Sequence, residues 1–271
     1  MFLLISLINY IKSVSIMSLF NLVFRFVSVN SAKQCNLKKS LLPWCQCSVS
    51  KQYSTAVVNE NSQNSINLPV YLDLKDEFDS SLKSSIIKDM TVIHDFLSSE
   101  EEQSILNEIE PYLKRLRYEF DHWDDAIHGY RETERLKWNS ENSKIIQRVR
   151  ELAFPVGCAQ LRHVHVLDLD AKGVIKPHVD STRFCGNTIA GLSLLSDCVM
   201  RLVHSHNSEQ VVDIYLKQRS LYIMRDSARY DYTHEVLGAE HSFFKENAVP
   251  RSRRISIICR NEPTKNTPTC T

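Results

Sequence analysis

The sequence predicts an α+β chain, with a double-stranded β-helix (a jelly roll) as its core and helices supporting it on the N-terminal side. Three observations predict this. Short apolar or alternating runs recur from Leu161 to Arg260 at the spacing of about 8–12 residues expected of an antiparallel double sheet. Two helical periodicities precede them. Glycine is scarce, at 6 of 271 residues, and neither G-x-G-x-x-G nor G-x-x-x-x-G-K-[ST] occurs. Gly-loop nucleotide folds and collagen-like or Gly-rich segments are thereby excluded.

The first strong helix signal is Ser98-Ser99 followed by Glu101-Glu102, two overlapping capping boxes. Ile105, Leu106, Ile109 and Leu113 then repeat at helical spacing, which predicts a helix over 100–113 that Pro111 kinks or shortens. Ile145, Ile146, Val149 and Leu152 define a second helix over 140–152, ended by Pro155 and Gly157. A short helix over 76–90 and an extended Thr91–Leu97 lead into the first of these. Residues 114–138 are charged and aromatic without a clear period. The predicted strands are Leu161–Leu169, Thr188–Leu195, Val199–His204, Val211–Leu216, Ser220–Arg225 and Arg254–Arg260.

A content of 43% hydrophobic and 24% charged residues supports a packed core and excludes wholesale disorder. The formal net charge of +1 hides a split. No acid precedes Glu60, whereas Lys12, Arg25, Lys33, Lys38, Lys39 and Lys51 do. Beyond them, 27 basic residues face all 32 acids, a net of −5, so the remainder has no global basic footprint for nucleic acid. The acid-free stretch, rich in Ser and Leu/Phe/Val, reads as a mitochondrial transit peptide over 1–53, with Lys51-Gln-Tyr-Ser54 as a processing site. The rival reading takes Met1–Val29 as a secretory signal or anchor, but Asn9, Lys12, Asn21 and Arg25 interrupt it. No later segment resembles a membrane span. Eight cysteines without a C-x-x-C fit a reducing compartment. The chain therefore divides into 1–53, a linker and short helix over 54–89, a helical support region over 90–158, a jelly-roll core over 159–263, and a tail over 264–271.

Chemistry centres on Pro177-His-Val-Asp180. Residues two apart on a strand project to one face, so His178 and Asp180 offer two metal ligands there. His234 is the best candidate for a third. Two histidines and one carboxylate form a facial triad with open positions, which points to Fe(II) rather than structural zinc. In Arg254-Ile-Ser-Ile-Ile-Cys-Arg260, Arg254, Ser256, Ile258 and Arg260 share a face. An inward arginine in an apolar strand needs an anion, and a dicarboxylate such as 2-oxoglutarate fits. Six residues span roughly 20 Å, so both arginines meet one small acid only from its two ends, and a structural ion pair for one of them stays open.

These motifs, with Val164-His-Val-Leu-Asp-Leu169, Ile175-Lys-Pro-His-Val-Asp180, Phe184-Cys-Gly186 and Ile189-Ala-Gly-Leu-Ser-Leu-Leu195, resemble the AlkB family of Fe(II)- and 2-oxoglutarate-dependent dioxygenases over about residues 90–262. The likeness is strongest to a mitochondrial member. The resemblance implies iron ligands His178, Asp180 and His234, and 2-oxoglutarate contacts from Tyr222, Arg254, Ser256 and Arg260, with O₂ as the other cosubstrate. It also implies links to programmed necrosis and fatty-acid metabolism. One departure matters. Nucleic-acid demethylases of the family carry N-x-Y where this chain has Leu167-Asp-Leu169, and insert lid hairpins with no obvious counterpart in 114–158. The expected activity is therefore oxygenation of a protein side chain in the mitochondrial matrix, on an unidentified macromolecular partner. Demethylation of mitochondrial RNA is the alternative, with Lys114–Arg117 and Arg251–Arg254 as phosphate patches and Trp123 or Tyr130 as a base-stacking residue. A low-turnover regulatory module that binds 2-oxoglutarate is a third reading.

Overall fold

A computed structural model of the chain describes residues 68–75, 78–120 and 125–263. The transit-peptide reading, Cys35, Cys45, Cys47, Trp123 and the 264–271 tail lie outside the described residues. Among the described residues, no helix is long and apolar enough to cross a membrane.

The described residues form four helices and twelve strands: β1 (Leu72–Leu74), α1 (Ser80–Asp89), β2 (Met90–Ile93), α2 (Ser99–Leu113), β3 (Ile127–Arg135), α3 (Ser140–Ala153), β4 (Val164–His178), β5 (Thr188–Leu194), β6 (Cys198–His204), β7 (Asn207–Leu216), β8 (Ser220–Arg225), α4 (Asp226–Tyr230), β9 (Tyr232–Val236), β10 (Phe243–Phe244), β11 (Asn247–Ala248) and β12 (Arg254–Arg260). Nine strands run in the order β1-β7-β6-β9-β4-β12-β5-β8-β2, with β3 added on β4, and every pairing is antiparallel.

Strand β4 turns this sheet into a jelly roll. Its first half, His165–Leu169, pairs with β12, while Ile175 and His178 pair with β9, and the register shifts between those two residues. The sheet thereby curls on itself. Leu72, Met200, Leu202, Val212, Ile214 and Val236 from one half form a core with Leu167, Ile189, Tyr222, Met224 and Ile258 from the other. The second core covers the outer face. There Val164, Val166, Ala190, Leu192, Ile255, Ile257 and Cys259 pack on Ile105, Ile109, Ile145 and Val149 of the helices. The period of two thus splits β12 cleanly, with its odd-numbered residues under the helices and its even-numbered ones facing inward.

Helix α2 begins at the expected capping box. Ser98 Oγ accepts from the Glu101 amide at 3.2 Å, and the Glu101 carboxylate accepts from the Ser98 amide at 2.9 Å. Pro111 does not end it, and the helix continues to Leu113. Buried Glu102 fastens this helix to the sheet, accepting from the Leu195 amide and the Gln218 amide nitrogen. Helix α3 is capped by Asn139, one residue before the expected start.

The region expected to be a helical support, 90–158, contains two strands, β2 and β3. Strand β3 escapes hydrophobic reading because beyond Tyr130 its residues are charged or polar and only half-buried or exposed. What holds it is charge. Arg131 donates to Asp168 at 2.7 Å, and Arg253 donates to the same fully buried carboxylate at 2.7 and 2.9 Å.

Candidate metal centre and anion cavity

His178 is the last residue of β4, and its Cα partner across the ladder is His234 on β9. This pairing brings two rings from distant stretches to a centroid separation of 4.3 Å. Asp180 does not share the strand as expected. It stands two residues past the end of β4, where buried Arg229 grips its carbonyl oxygen at 2.7 Å. That turn aims the carboxylate back at both imidazoles. Asp180 Oδ1 lies 3.4 Å from His178 Nε2 and 3.7 Å from His234 Nε2. The three ligand atoms lie within 4.8 Å of one another.

Hydrogen bonding orients the rings. His178 Nδ1 sits 2.9 Å from the Lys176 carbonyl, so it donates there and turns Nε2 toward the cluster. Burial, reinforced by nearby His178, pushes His234 down to about 3, which keeps that ring neutral. Burial opposes the charge of Asp180. The His178 hydrogen bond and the positive field of Arg260 outweigh it and hold the carboxyl well below its usual range. Two imidazoles and one carboxylate converging from one side are the donor set of a mononuclear Fe(II) site with open positions.

The same cavity holds the four residues expected to contact 2-oxoglutarate. It is lined by Tyr222, Arg254, Ser256 and Arg260 besides the three ligand candidates. Arg254 is 2% exposed, yet among the described residues it meets no carboxylate. Its Nε donates to Ser193 Oγ at 3.1 Å and one terminal nitrogen donates to Ser256 Oγ at 2.6 Å. The other terminal nitrogen is buried without a partner. A buried guanidinium neutralised by nothing and short of one acceptor is a seat for a carboxylate. Arg260 differs. It takes the ion pair left open for one of the arginines, placing Nε and a terminal nitrogen 3.1 and 3.0 Å from Asp180 Oδ2. Its remaining nitrogen meets His165, which in turn meets Glu132 at 2.8 Å. Tyr222 is buried, and burial pushes its phenol up while Arg254 and Arg260 oppose that.

Several residues of the site had no sequence signal. Arg229 sits on a five-residue helix with no motif around it. His165 lay in a run read as a strand and a family motif without a role of its own, and the apolar wall of Ile127, Ile175, Met200, Met224 and Val236 comes from five separate strands. Other expectations resolve differently. Leu167 and Leu169 are buried, and Asp168 between them turns away to Arg131 and Arg253. The Arg251–Arg254 run is turned inward, since Arg251 donates to the Leu237 carbonyl, Arg253 to Asp168 and Glu110, and Arg254 is buried. Tyr130 is 3% exposed and packs in the core.

A family model described as the 2OG-Fe(II) oxygenase superfamily matches residues 121–260. The chain is 57% identical over 178 residues to "Alpha-ketoglutarate-dependent dioxygenase alkB homolog 7, mitochondrial" of Mus musculus, covering 65% of this chain and 80% of the mouse protein. The Bos taurus protein of the same name is 54% identical over 180 residues, covering 66% and 81%. A Caenorhabditis elegans protein named "DNA N6-methyl adenine demethylase" is 27% identical over 230 residues, covering 78% and 72%.

Proposed function

This chain belongs to the AlkB family within the 2OG-Fe(II) oxygenase superfamily, and from that premise we propose that it hydroxylates a protein side chain in the mitochondrial matrix. Its cofactors are those of the family, Fe(II) with 2-oxoglutarate and O₂. The chemistry supplied by such a loaded centre is oxidative decarboxylation of 2-oxoglutarate to succinate and CO₂, coupled to hydroxylation of a substrate C–H bond.

The chain's own part is placement. His178, Asp180 and His234 would hold the metal. Arg254, with Ser256 and Tyr222 beside it, would take the far carboxylate of 2-oxoglutarate. Arg260 fixes the free oxygen of Asp180, so that the other oxygen faces the two imidazoles. The apolar wall of the cavity excludes water from the reacting end. The observation that carries this reading is Arg254, buried and without an acid, in the same cavity as the triad.

Four features favour a protein substrate over RNA. The chain beyond its acid-free stretch is acidic. The Arg251–Arg254 run is turned inward. Tyr130 is buried, and β3 is spent as a strand of the main sheet. Matrix residence rests on the acid-free N-terminal stretch and on the mitochondrial names of the mouse and bovine relatives. Hydroxylation of a matrix protein is also the route by which the chain would connect to programmed necrosis and fatty-acid metabolism. The RNA-demethylase reading draws on the name of the nematode relative and on the exposed Lys114, Arg115 and Arg117. A low-turnover regulatory module would use the same Arg254 seat without a substrate.

Succinate release from labelled 2-oxoglutarate by the full chain, given either a matrix protein pool or mitochondrial RNA, decides among these. Protein-stimulated release that vanishes in His178→Ala is expected. RNA-stimulated release with formaldehyde would overturn the protein reading. Tight 2-oxoglutarate binding with no release from either pool would leave the regulatory module.

A further inference from the structure

Strand β5 lies between β8 and β12. A side chain on β8 that is to reach groups on β12 must therefore cross β5, over two strand spacings of roughly 4.8 Å each. Tyr222 on β8 makes this crossing. Its Cα partner on β5 is Gly191, which on its other side is partnered by Ile258 of β12. A Cβ on Gly191 would lie 2.4 Å from Tyr222 Cζ and 2.5 Å from both Cε1 and the phenol oxygen. The outer half of the ring thus rests directly on the Gly191 backbone. The Gly191 backbone does not lie in the left-handed region, so what forbids a side chain there is space alone.

The next residue of β5 on that face is Ser193, whose hydroxyl accepts from Arg254 Nε at 3.1 Å. Side chains from β8 and β12 therefore both lie over the two small residues of β5. Tyr222 is 5% exposed and lines the cavity, so a ring displaced from Gly191 would intrude on the acid-binding end rather than escape to solvent. Larger apolar residues at 191 would suit a buried sheet position equally well in hydrophobicity and better in strand propensity.

We propose that Gly191 is a positioning residue for the acid-binding end of the cavity. Its bare backbone seats the Tyr222 ring so that the phenol reaches the carboxylate received by Arg254. This rests on the 2-oxoglutarate reading above, and the test separates the two. Wild type, G191A, Y222A, the double variant and R254A are prepared as the full chain with Mn(II) in place of Fe(II). Calorimetry gives 2-oxoglutarate affinity, and thermal melting gives stability. G191A and Y222A are each expected to weaken 2-oxoglutarate by about tenfold, the worth of one hydrogen bond to a charged group. The double variant is expected to be no weaker than the worse single one, because both act on the same ring. G191A is expected to melt lower than wild type, with Y222A relieving that loss in the double variant.

Wild-type affinity in G191A, or penalties of G191A and Y222A that add in full, would overturn the proposal. So would a double variant no more stable than G191A, or one that fails to fold along with it; the melting comparison applies whatever acid the cavity takes. An R254A protein that binds 2-oxoglutarate like wild type would instead strike the reading of the cavity.

Discussion

Arg260 closes on Asp180 with two nitrogens, at 3.0 and 3.1 Å, whereas Arg254, on the same face of β12, meets no carboxylate among the described residues. The two arginines therefore stand differently. One neutralises and aims the carboxylate that faces His178 and His234. The other is a buried charge without an acid, which on the proposed reading is held for an incoming anion, at a cost in the empty protein.

That cost is measurable. Replacing Arg254 with Met removes an uncompensated buried charge, so the variant without ligand is expected to melt no lower than wild type. Saturating 2-oxoglutarate should raise the melting temperature of the wild type and leave the variant unmoved. The loss of binding should correspond to about 2–5 kcal/mol. Ligand-induced stabilisation surviving in Arg254→Met would place the acid elsewhere.

Arg260→Met is expected to act on the metal rather than on the acid. The partner that fixes a ligating carboxylate typically contributes about 10–100-fold in metal affinity. Competition between the full chain and a chelator dye for Mn(II) reads this directly. Unchanged metal affinity would show that Asp180 needs no such restraint.

The buried Asp168 carries stability, away from the cavity. It accepts from Arg131, Arg253 and Tyr118, joining β3, β4 and the start of β12. Asp168→Ala leaves two arginines without their partner and should cost about 3–5 kcal/mol in urea unfolding. A loss under 1 kcal/mol would mean that Arg253 is satisfied by Glu110 alone.

Alkaline stability depends on Tyr215. Burial first, and then the Asp197 carboxylate to which its hydroxyl donates, push the phenol up to about 12. The unfolded chain releases that proton near pH 10. Stability linked to Tyr215 is therefore complete below pH 10 and is lost as pH rises toward 12. The unfolding free energy of Tyr215→Phe should fall less steeply than that of wild type over that interval. Parallel curves would remove Tyr215 from the alkaline transition.

The sequence was most legible where chemistry and periodicity coincide. A charged or metal-ligating side chain in an apolar strand has few explanations, so His178, His234, Arg254 and Arg260 stood out, and the structure places all of them around one cavity. The capping box of α2 was equally plain, because it is local. Long-range pairing was not legible. Strand β3 is held by Asp168, which is 37 residues from Arg131 and 85 from Arg253, and no local pattern announces that. The predicted strand ends at Leu169, yet β4 runs on to His178 and its far half joins the two faces of the roll. Asp180 was placed on the strand by its spacing from His178, and only the Arg229 contact with its carbonyl shows why the chain leaves the strand there. Gly191 gave no signal because its role depends on a ring from the neighbouring strand.

Anaerobic titration of the full chain with Fe(II) and then 2-oxoglutarate, counting equivalents of each bound, tests the metal and acid site most directly. One equivalent of each is expected in the wild type, iron without 2-oxoglutarate in Arg254→Ala, and neither in a His178→Ala/His234→Ala double variant. Iron bound stoichiometrically by that double variant, or 2-oxoglutarate bound at full affinity by Arg254→Ala, would contradict it.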